Sequence, residues 1–238
     1  HRNVMNIDKK YYQEINGNLT NTIQDTNIDA PNKKVGKVRD AYFLDDRVVM
    51  ISTDRQSAFD RVLAAIPYKG AVLNSVSAWW FKKTEHLFPN HLISTPDPNV
   101  SIVEKCTVFP VEFVVRGYIT GTTDTSLWTV YNNGDREYCG NTLPEGLKKN
   151  DKLDAPMLTP TTKDKVHDRP VSREEIIDLG LMSAEDYDIA AKMSLDLFAF
   201  GQETAKKNGL ILVDTKYEIG TDSSGKIKFV DEIHTPDS

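Results

Sequence analysis

Short runs of β-branched and aromatic residues dominate the chain from residue 34 to residue 54. The segments KVGKVRDAYFL (34–44) and RVVMISTD (47–54) flank the dipeptide Asp45-Asp46. Such runs on either side of turn-forming residues are typical of paired strands. The pattern therefore predicts a β-hairpin here. Two further strands are predicted within residues 101–120, one on either side of Pro110.

Outside these strands, helical and irregular patterns alternate. Residues 70–88 carry apolar side chains at helical spacing and are followed by Pro89, which predicts a helix. Residues 120–170 contain many Gly, Pro, Asn and Thr residues without a period, which predicts long loops. Residues 1–33 are polar and rich in asparagine. They are predicted to form an arm or short helix that packs on the body of the protein.

Two helices with clear start signals are predicted in the C-terminal part. Ser172 and Glu175 form the S-x-x-E pattern of a capping box, and this helix is expected to end near Gly180. The longest helix is predicted to start at Ser183 and to end before Gly209, since glycine commonly follows a helix end. The β-rich first half and the helix-rich second half together predict an α+β fold. A domain boundary is expected near residues 104–110, with an arm at 1–33 and domains at 34–105 and 106–238.

The segment LVDTKYEIG (212–220) combines burial and charge in one predicted strand, over residues 210–223. Leu210–Val213 is an apolar run suited to burial on both faces, and Asp214, Lys216 and Glu218 then occupy every second position. Since side chains alternate between the faces of a strand, these three charges are expected on one face.

A partner strand at 226–233 brings a second acid to that face. A two-residue turn at Ser224-Gly225 would pair Ser223 with Lys226 and place Asp231 directly opposite Glu218. Two close carboxylates raise each other's pKa unless a cation lies between them, and Mg²⁺ held by one or two carboxylates plus phosphate oxygens meets this need. A solvent-exposed hairpin with ion pairs on its surface explains the same pattern about equally well.

Three other segments suit an anionic ligand. In VGKVRDAY (35–42), a glycine followed by Lys37 and Arg39 could cover phosphates, although charges that protect a hairpin edge are the more common explanation. STDRQSAFDR (52–61) offers hydroxyls and charges of both signs, which N-caps and turns also explain. In VVRGYITGTT (114–123), Arg116 follows an apolar strand and could bind a carboxylate or phosphate.

Composition restricts the classes of function. The net charge of −6 argues against nonspecific binding to nucleic acid. The two cysteines form no C-x-x-C pattern, so neither a zinc site nor a disulfide framework is expected. The sequence has no apolar run long enough to span a membrane and no apolar signal core near residue 1, so a cytoplasmic protein without membrane association is predicted. Together with the basic and acidic segments, this favours a Mg²⁺-nucleotide enzyme with an anionic co-substrate.

Five motifs, in this order, resemble those of the SAICAR synthetase family of purine biosynthesis: GKVRD, STDRQSAFD, VEFVVRGYITGT, LVDTKYEIG and VDEIHTPDS. The resemblance covers residues 33–238. It implies a β-rich, kinase-like N-terminal domain joined to a larger α+β domain, with ATP in the cleft between them. It also implies a ligase that uses ATP and Mg²⁺ to join L-aspartate to the carboxylate of CAIR through an acyl phosphate. The products are SAICAR, ADP and phosphate. The sequence carries no indication of oligomeric state.

The resemblance assigns roles position by position. The expected ATP-binding positions are Gly36, Lys37, Val38, Arg39, Glu104 and Cys106. The positions expected to bind CAIR are Ser57, Asp60, Arg116, Thr122, Asp168 and Lys216. Glu218 and Asp231 are the expected Mg²⁺ ligands. The expected catalytic residues are Lys216, which would contact the reacting carboxylate or phosphate, Arg116, and Asp214 as a supporting acid. In the family the last motif continues to a phosphate-binding arginine, and the present sequence ends at Ser238.

Two other classes of function use the same residues. A catalytically silent module could bind a nucleotide or Ca²⁺ through the hairpin acids, but the spacing of the acids does not match an EF-hand. A small-molecule kinase would share the nucleotide site and differ only in lacking an amine co-substrate. The ligase is the preferred hypothesis because the five motifs occur together and in order.

Overall fold

The computed structural model describes residues 8–58, 61–163 and 168–238. The chain divides into two compact units. Unit 1 contains residues 1–79 and 92–105, and unit 2 contains residues 80–91 and 106–238. The predicted α+β class is confirmed, because both units combine antiparallel strands with helices. The assignment of nucleotide binding to one part of the chain and of substrate and metal binding to the other stays a prediction.

Unit 1 is built on a five-stranded antiparallel sheet with the order β1-β2-β3-β7-β6. Its strands are β1 (Lys33–Val35), β2 (Arg39–Phe43), β3 (Arg47–Ser52), β6 (Leu92–Asp97) and β7 (Val100–Glu104). A separate hairpin consists of β4 (Arg55–Ala58) and β5 (Arg61–Ala65). Helix α1 spans Lys9–Gly17, and helix α2 spans Lys69–Thr84 and continues into unit 2 at Trp80.

Several predicted elements of unit 1 are confirmed. Strands β2 and β3 pair as the predicted hairpin, and the Leu44 N–H donates to the Arg47 carbonyl across Asp45-Asp46. Helix α2 covers most of the predicted segment 70–88. The N-terminal arm does contain a short helix, α1, which starts at the N-cap Asp8, but this helix buries none of its residues. The prediction of packing on the body is therefore wrong for the helix. It is confirmed for the segment after the helix, where Ile23 exchanges hydrogen bonds with Asp54 and the Gln24 carbonyl accepts from Arg55.

Unit 2 contains a six-stranded antiparallel sheet with the order β13-β12-β8-β14-β15, to which β11 adds by pairing with β8. Its strands are β8 (Thr107–Tyr118), β11 (Lys152–Leu158), β12 (Thr161–Thr162), β13 (Arg169–Pro170), β14 (Asp214–Thr221) and β15 (Ile227–Val230). Strands β9 (Glu137–Tyr138) and β10 (Asn141–Thr142) form a small hairpin. The helices are α3 (Leu127–Asn132), α4 (Arg173–Asp178) and α5 (Ala184–Lys207).

Both predicted C-terminal helices are confirmed with their caps. Ser172 and Glu175 form the reciprocal hydrogen bonds of a capping box at α4. The Ser183 hydroxyl accepts from the Asp186 N–H at the start of α5, and Gly209 follows the helix with a φ of +72°. Helix α5 lies close to β8 because Gly117 has no side chain. A Cβ added there would lie 3.3 Å from the Phe198 ring and 2.6 Å from Gln202 Nε2.

Two strand boundaries differ from the prediction. The break in 101–120 lies between β7 and β8, at Lys105 and Cys106, and Pro110 lies inside β8. The pairing of β8 with β14 shifts register between Val108 and Glu112, and such an irregularity tolerates a residue that cannot donate to the ladder. Strand β14 begins only at Asp214. The preceding apolar run is not buried, since Leu210 is 66% exposed and Ile211 is 69% exposed.

The segment predicted as long loops, residues 120–170, contains α3 and five of the short strands and has a core of its own. Six buried apolar side chains form this cluster: Ile119, Leu127, Tyr131, Tyr138, Leu143 and Leu153. The elements that contribute to it are short, with six residues in α3, two in β9 and seven in β11. Such short, separated elements give only a weak periodic signal. Within the described ranges, no helix has the length and apolar character needed to cross a membrane.

A buried ion pair organises unit 1. The Asp40 side chain is fully buried and accepts from Arg55 Nη2 at 2.8 Å and from the Thr26 hydroxyl at 2.6 Å. Burial raises the pKa of Asp40, but its hydrogen bonds with Thr26 and Arg55 outweigh this effect, and the net pKa is lowered. Asp40 of GKVRD and Arg55 of STDRQSAFDR thus stabilise the folded structure.

Replacing Asp40 by Ala should destabilise the protein by about 3–5 kcal/mol, because Arg55 would remain buried without its counter-ion. Urea unfolding followed by circular dichroism measures the loss. The matched control is Asp46→Ala, which removes the 80% exposed partner of Arg47 and should cost less than about 1 kcal/mol. Equal losses for the two variants would contradict the structural role of the buried pair.

Candidate active site

Strands β8 and β14 of unit 2 carry a charged face opposite the apolar core. Phe113, Val115, Tyr217 and Ile219 are fully buried, and the charged residues occupy the alternate positions. Asp214, Lys216 and Glu218 therefore share one face, as the two-residue period predicts. The pairing of β14 with β8 places specific residues opposite these charges. Glu218 lies opposite Glu112, and Asp214 lies opposite Arg116.

The predicted register of the β14–β15 hairpin is wrong by one residue. Thr221 pairs with Ile227 and Glu218 with Val230, so Asp231 is not directly opposite Glu218. The predicted two-residue turn at Ser224-Gly225 is also wrong, because residues 222–226 form a longer loop.

The side chain of Asp222 holds this loop. Its Oδ1 accepts from the N–H groups of Ser224 at 2.9 Å and Lys226 at 3.0 Å. Its Oδ2 lies 2.9 Å from Lys228 Nζ. Hydrogen bonds from Ser224 and Lys228 lower the pKa of Asp222 far below its ordinary value. An Asp side chain that bonds backbone N–H groups within its own turn changes the loop length, which the turn dipeptide alone does not show.

Asp231 nevertheless lies close to Glu218. It follows the end of β15 and has a φ of +64°, so the chain turns there and leaves the strand direction. Burial raises the pKa of Glu218, and the nearby Asp231 carboxylate raises it further, while Lys163 opposes both effects. The net pKa of Glu218 is raised. The two carboxylates therefore interact electrostatically although they are not cross-strand partners.

A lysine that sequence reasoning missed contacts this pair. Lys163 Nζ lies 2.6 Å from Glu218 Oε2, and both side chains are about one-third exposed or less, at 32% and 21%. The Lys163 N–H donates to the Pro110 carbonyl, which fixes the lysine beside β8. Strand β12, just before it, has only two residues, so no strand period could reveal the position of Lys163.

Glu112 is a second missed residue. Its side chain is 8% exposed, and its Oε1 lies 2.9 Å from Lys216 Nζ. Its Oε2 accepts from the Thr161 hydroxyl at 3.3 Å. Burial lowers the pKa of Lys216, but Glu112, with Glu218 and Asp231, outweighs it, and the net pKa is raised. Lys216 is therefore protonated at neutral pH. The signal for Glu112 was available, since a single charge in the apolar run VEFVV demands a buried partner.

Arg116 lies at the other end of the charged face. Its Nε donates to the Thr159 hydroxyl at 2.8 Å, and its Nη2 lies 3.5 Å from the Thr125 carbonyl. Asp214 is its register partner on β14. Two further predicted substrate positions of unit 2, Thr122 and Asp168, are exposed. The role of these two residues stays a prediction.

The predicted phosphate-covering turn lies in unit 1, between β1 and β2. The Gly36 N–H donates to the Arg39 carbonyl at 2.8 Å, and a Cβ added to Gly36 would lie 2.9 Å from that oxygen. The turn is thus tight enough to favour glycine. Lys37 is exposed and Val38 is half-buried at its tip.

The remaining predicted positions are spread over both units. Ser57 is half-buried in β4, and Glu104 ends β7, both in unit 1. Cys106 belongs to unit 2 and lies in the link between β7 and β8. Asp60 lies outside the described residues.

The donor set of Glu218 and Asp231 fits a hard divalent cation. Both carry carboxylate oxygens, and burial together with the nearby Asp231 carboxylate raises the pKa of Glu218, an effect that a bound cation would oppose. Among residues 8–58, 61–163 and 168–238, no group of three or more His, Cys, Asp or Glu side chains is arranged for a metal ion. A Mg²⁺ ion held by these two acids would need further oxygen ligands from a nucleotide or water, which is its usual coordination in proteins.

Known proteins resemble this chain in both sequence and fold. A family model described as SAICAR synthetase matches residues 32–238. The chain is 59% identical to the phosphoribosylaminoimidazole-succinocarboxamide synthase of Legionella pneumophila strain Lens, over 91% of this chain and 69% of that protein. It is 58% identical to the chloroplastic synthase of Arabidopsis thaliana, over 94% of this chain and 56% of the relative.

Solved structures give the same result. The SAICAR synthase of Saccharomyces cerevisiae complexed with SAICAR superposes with a TM-score of 0.79 at 32% identity, covering 91% of this chain and 78% of the yeast chain. A SAICAR synthetase in complex with ADP has a TM-score of 0.71 at 27% identity, covering 85% of this chain and 80% of that chain.

The raised pKa of Glu218 predicts a pH-dependent cost in stability. Between the ordinary value of 4.5 and the raised value, the folded chain binds more protons than the unfolded chain. The free energy of unfolding should therefore fall as the pH rises through this window. Glu218→Gln should remove that fall and should gain stability relative to the wild type as the pH rises above 4.5.

Urea unfolding at several pH values between 4.5 and 8, without ligands, measures this difference. Glu203→Gln is the matched control, because an exposed ion pair with Lys207 lowers the pKa of Glu203. Its contribution to stability changes only as the pH falls through the lowered value, so this variant should follow the wild type above pH 4.5. A wild-type stability that rises through the window relative to Glu218→Gln would contradict the assignment.

Proposed function

Because the chain belongs to the SAICAR synthetase family, we propose that it catalyses the ATP-dependent ligation of L-aspartate to CAIR, giving SAICAR, ADP and phosphate. The observation that carries the site assignment is the charged face of β8 and β14. This face sets Lys216 beside the buried Glu112 and within the electrostatic influence of Glu218 and Asp231. Structures of relatives contain SAICAR or ADP, which are products of this reaction.

The reaction requires two transfers. A carboxylate oxygen of CAIR attacks the γ-phosphorus of ATP, and ADP leaves with the electron pair of the broken P–O bond. The amine of L-aspartate then attacks the acyl carbon, phosphate leaves, and the nitrogen loses a proton. Neither transfer needs a nucleophile from the protein. The protein must position the reactants and offset the charge that moves between oxygens.

Lys216 is suited to the second of these tasks. Its side chain is 45% exposed, so its ammonium can reach a ligand while Glu112 holds it at 2.9 Å. Its raised pKa keeps the positive charge in place at neutral pH. A fixed cation beside the reacting carboxylate or phosphoryl group stabilises the charge in the transition state. Arg116, held by Thr159, offers a second cation on the same face, and Asp214 opposite it is the supporting acid.

Glu218 and Asp231 would hold Mg²⁺, which supplies charge neutralisation for the phosphates of ATP when bound. Lys163 now offsets the charge of Glu218. We assign the nucleotide to the turn Gly36, Lys37, Val38 and Arg39 and to the backbone at Glu104 and Cys106. We assign CAIR to Ser57, Asp60, Arg116, Thr122, Asp168 and Lys216. These assignments follow the family motifs.

The cellular compartment stays a prediction. The described helices are not suited to cross a membrane, and the Arabidopsis relative is named chloroplastic. The cytoplasmic localisation expected from the sequence is therefore a proposal for this chain.

The activity is tested by release of ADP and phosphate in the presence of Mg²⁺. Release should require CAIR and L-aspartate together, and SAICAR should form in equal amount. Leaving out aspartate is the informative control. Phosphate transfer to CAIR that turns over without aspartate would instead identify a small-molecule kinase. Binding of nucleotide without turnover under any condition would identify a silent binding module.

Removal of the charged groups should reduce turnover while the fold is kept. Lys216→Met and Glu218→Gln should each lower kcat about 100-fold or more, the range seen when one group that stabilises transition-state charge is lost. Lys192→Met is the matched control, since Lys192 forms an exposed ion pair with Asp196 on α5. Its kcat should equal that of the wild type. Near-normal turnover by Glu218→Gln would exclude the proposed metal ligand.

A further inference from the structure

The chain that carries Asp231 turns through two residues in the left-handed region. Asp231 has a φ of +64° and His234 a φ of +53°. This region is disfavoured for residues with a Cβ, although Asp and His adopt it more often than most. Backbone preference alone would not keep two residues of one short turn in this conformation. Contacts from the surrounding structure must fix the turn.

The His234 ring is the buried anchor of this turn. The residue is 8% exposed, and its ring meets the Trp80 ring edge-to-face, with centroids 4.6 Å apart and planes at 84°. Helix α5 makes room for it at Gly201. A Cβ added to Gly201 would lie 2.5 Å from His234 Cε1 and 3.0 Å from Nδ1. Glycine is disfavoured in the middle of a helix, so its presence here matches the need for space beside the ring.

A hydrogen bond links this ring to β14. The Tyr217 hydroxyl is paired with His234 Nε2 in the core. Burial lowers the pKa of His234 to about 3, so the ring is neutral at pH 7. A neutral ring whose Nε2 accepts the hydrogen bond from the Tyr217 hydroxyl carries its own hydrogen on Nδ1.

The other ring nitrogen of His234, Nδ1, is buried and has no hydrogen-bond partner within the described part of the chain. An orphaned polar atom in a core is unfavourable, and an apolar side chain would avoid it. Packing alone therefore does not account for a histidine at this position.

Tyr217 immediately precedes Glu218, and His234 lies just beyond Asp231 in the same turn. One buried hydrogen bond thus ties the strand that carries the first acid to the turn that carries the second. We propose that His234 is a positioning residue for the carboxylate pair: by bonding Tyr217 inside the Gly201 and Trp80 pocket, it holds Asp231 next to Glu218. The inference rests on the proposed function only in taking this pair to be the Mg²⁺ site.

The test is the affinity of the protein for Mn²⁺ in the presence of ADP, with free Mn²⁺ measured by electron paramagnetic resonance. His234→Ala should weaken Mn²⁺ binding about tenfold or more, as is common when a group that orients a metal ligand is removed. Tyr217→Phe removes only the hydroxyl and should weaken binding about threefold, a smaller share of the same effect. The Mg²⁺ concentration for half-maximal turnover should rise in parallel, with the KM for aspartate unchanged.

A control separates positioning from general stability. Ile176→Ala removes a fully buried side chain from α4 and should lower the thermal midpoint while Mn²⁺ affinity stays at the wild-type value. Since His234→Ala could also fail to fold, near-UV circular dichroism of Tyr217→Phe keeps the test decisive, because that change leaves the packing almost intact.

The outcomes are distinct. Wild-type Mn²⁺ affinity in folded Tyr217→Phe and His234→Ala would overturn the inference and leave the proposed metal ligands standing. Weakening of equal size in Ile176→Ala would overturn it too, because the effect would then follow stability. Absence of ADP-dependent Mn²⁺ binding in the wild type would overturn both the metal assignment and the inference. Weaker binding in both His234→Ala and Tyr217→Phe, with Ile176→Ala unchanged, supports it.

Discussion

The alternation of side chains along β8 and β14 is the constraint on which the candidate site depends. Phe113, Val115, Tyr217 and Ile219 must face the core, because each is fully buried. A strand offers only two faces, so the residues between them are forced onto the other face together. Charged groups that are far apart in sequence thereby become neighbours across the ladder, as Glu112 and Glu218 are. The hydrophobic core sets the position of the charges.

This crowding of like charges needs compensation, and two lysines supply it. Glu112 is paired with Lys216, and Glu218 is paired with Lys163. The second pairing is incomplete, since the pKa of Glu218 stays raised by burial and by Asp231. A protein selected only for stability would avoid such a group, whereas a site for a cation and phosphates requires it. The raised pKa of Glu218 is therefore consistent with the proposed ligand site on this face.

The sequence predicted the regular parts of this structure and missed the parts that depend on single side chains. The capping box of α4 and the glycine after α5 were readable because caps are local signals. The hairpin register failed by one residue because the Asp222 side chain builds its own loop. Asp231 nevertheless lies near Glu218, because the chain turns directly after β15 and does not continue in the direction of the strand.

Lys163, unlike Glu112, could not be found from the sequence pattern. Lys163 lies after a two-residue strand, and its distance along the chain from Glu218 is long, so only the tertiary fold brings them together. The exposed run at Leu210 and Ile211 shows the same limit, because an apolar sequence indicates that burial is possible without naming a partner that covers it. Family resemblance supplied roles for residues, but the pairings between them could be read only from the structure.

In unit 1, stability and the proposed nucleotide contact depend on the same side chain. Arg55 is paired with the buried Asp40, and it also donates to the carbonyls of Lys37 at 3.2 Å and Gly36 at 3.0 Å. Those two residues belong to the turn assigned to the phosphates. Arg55 thus fixes both carbonyls, and the hydrogen bond from the Gly36 N–H to the Arg39 carbonyl closes the turn. The motifs GKVRD and STDRQSAFD therefore act together, because the buried Arg55 of the second motif fixes the shape of the exposed turn in the first.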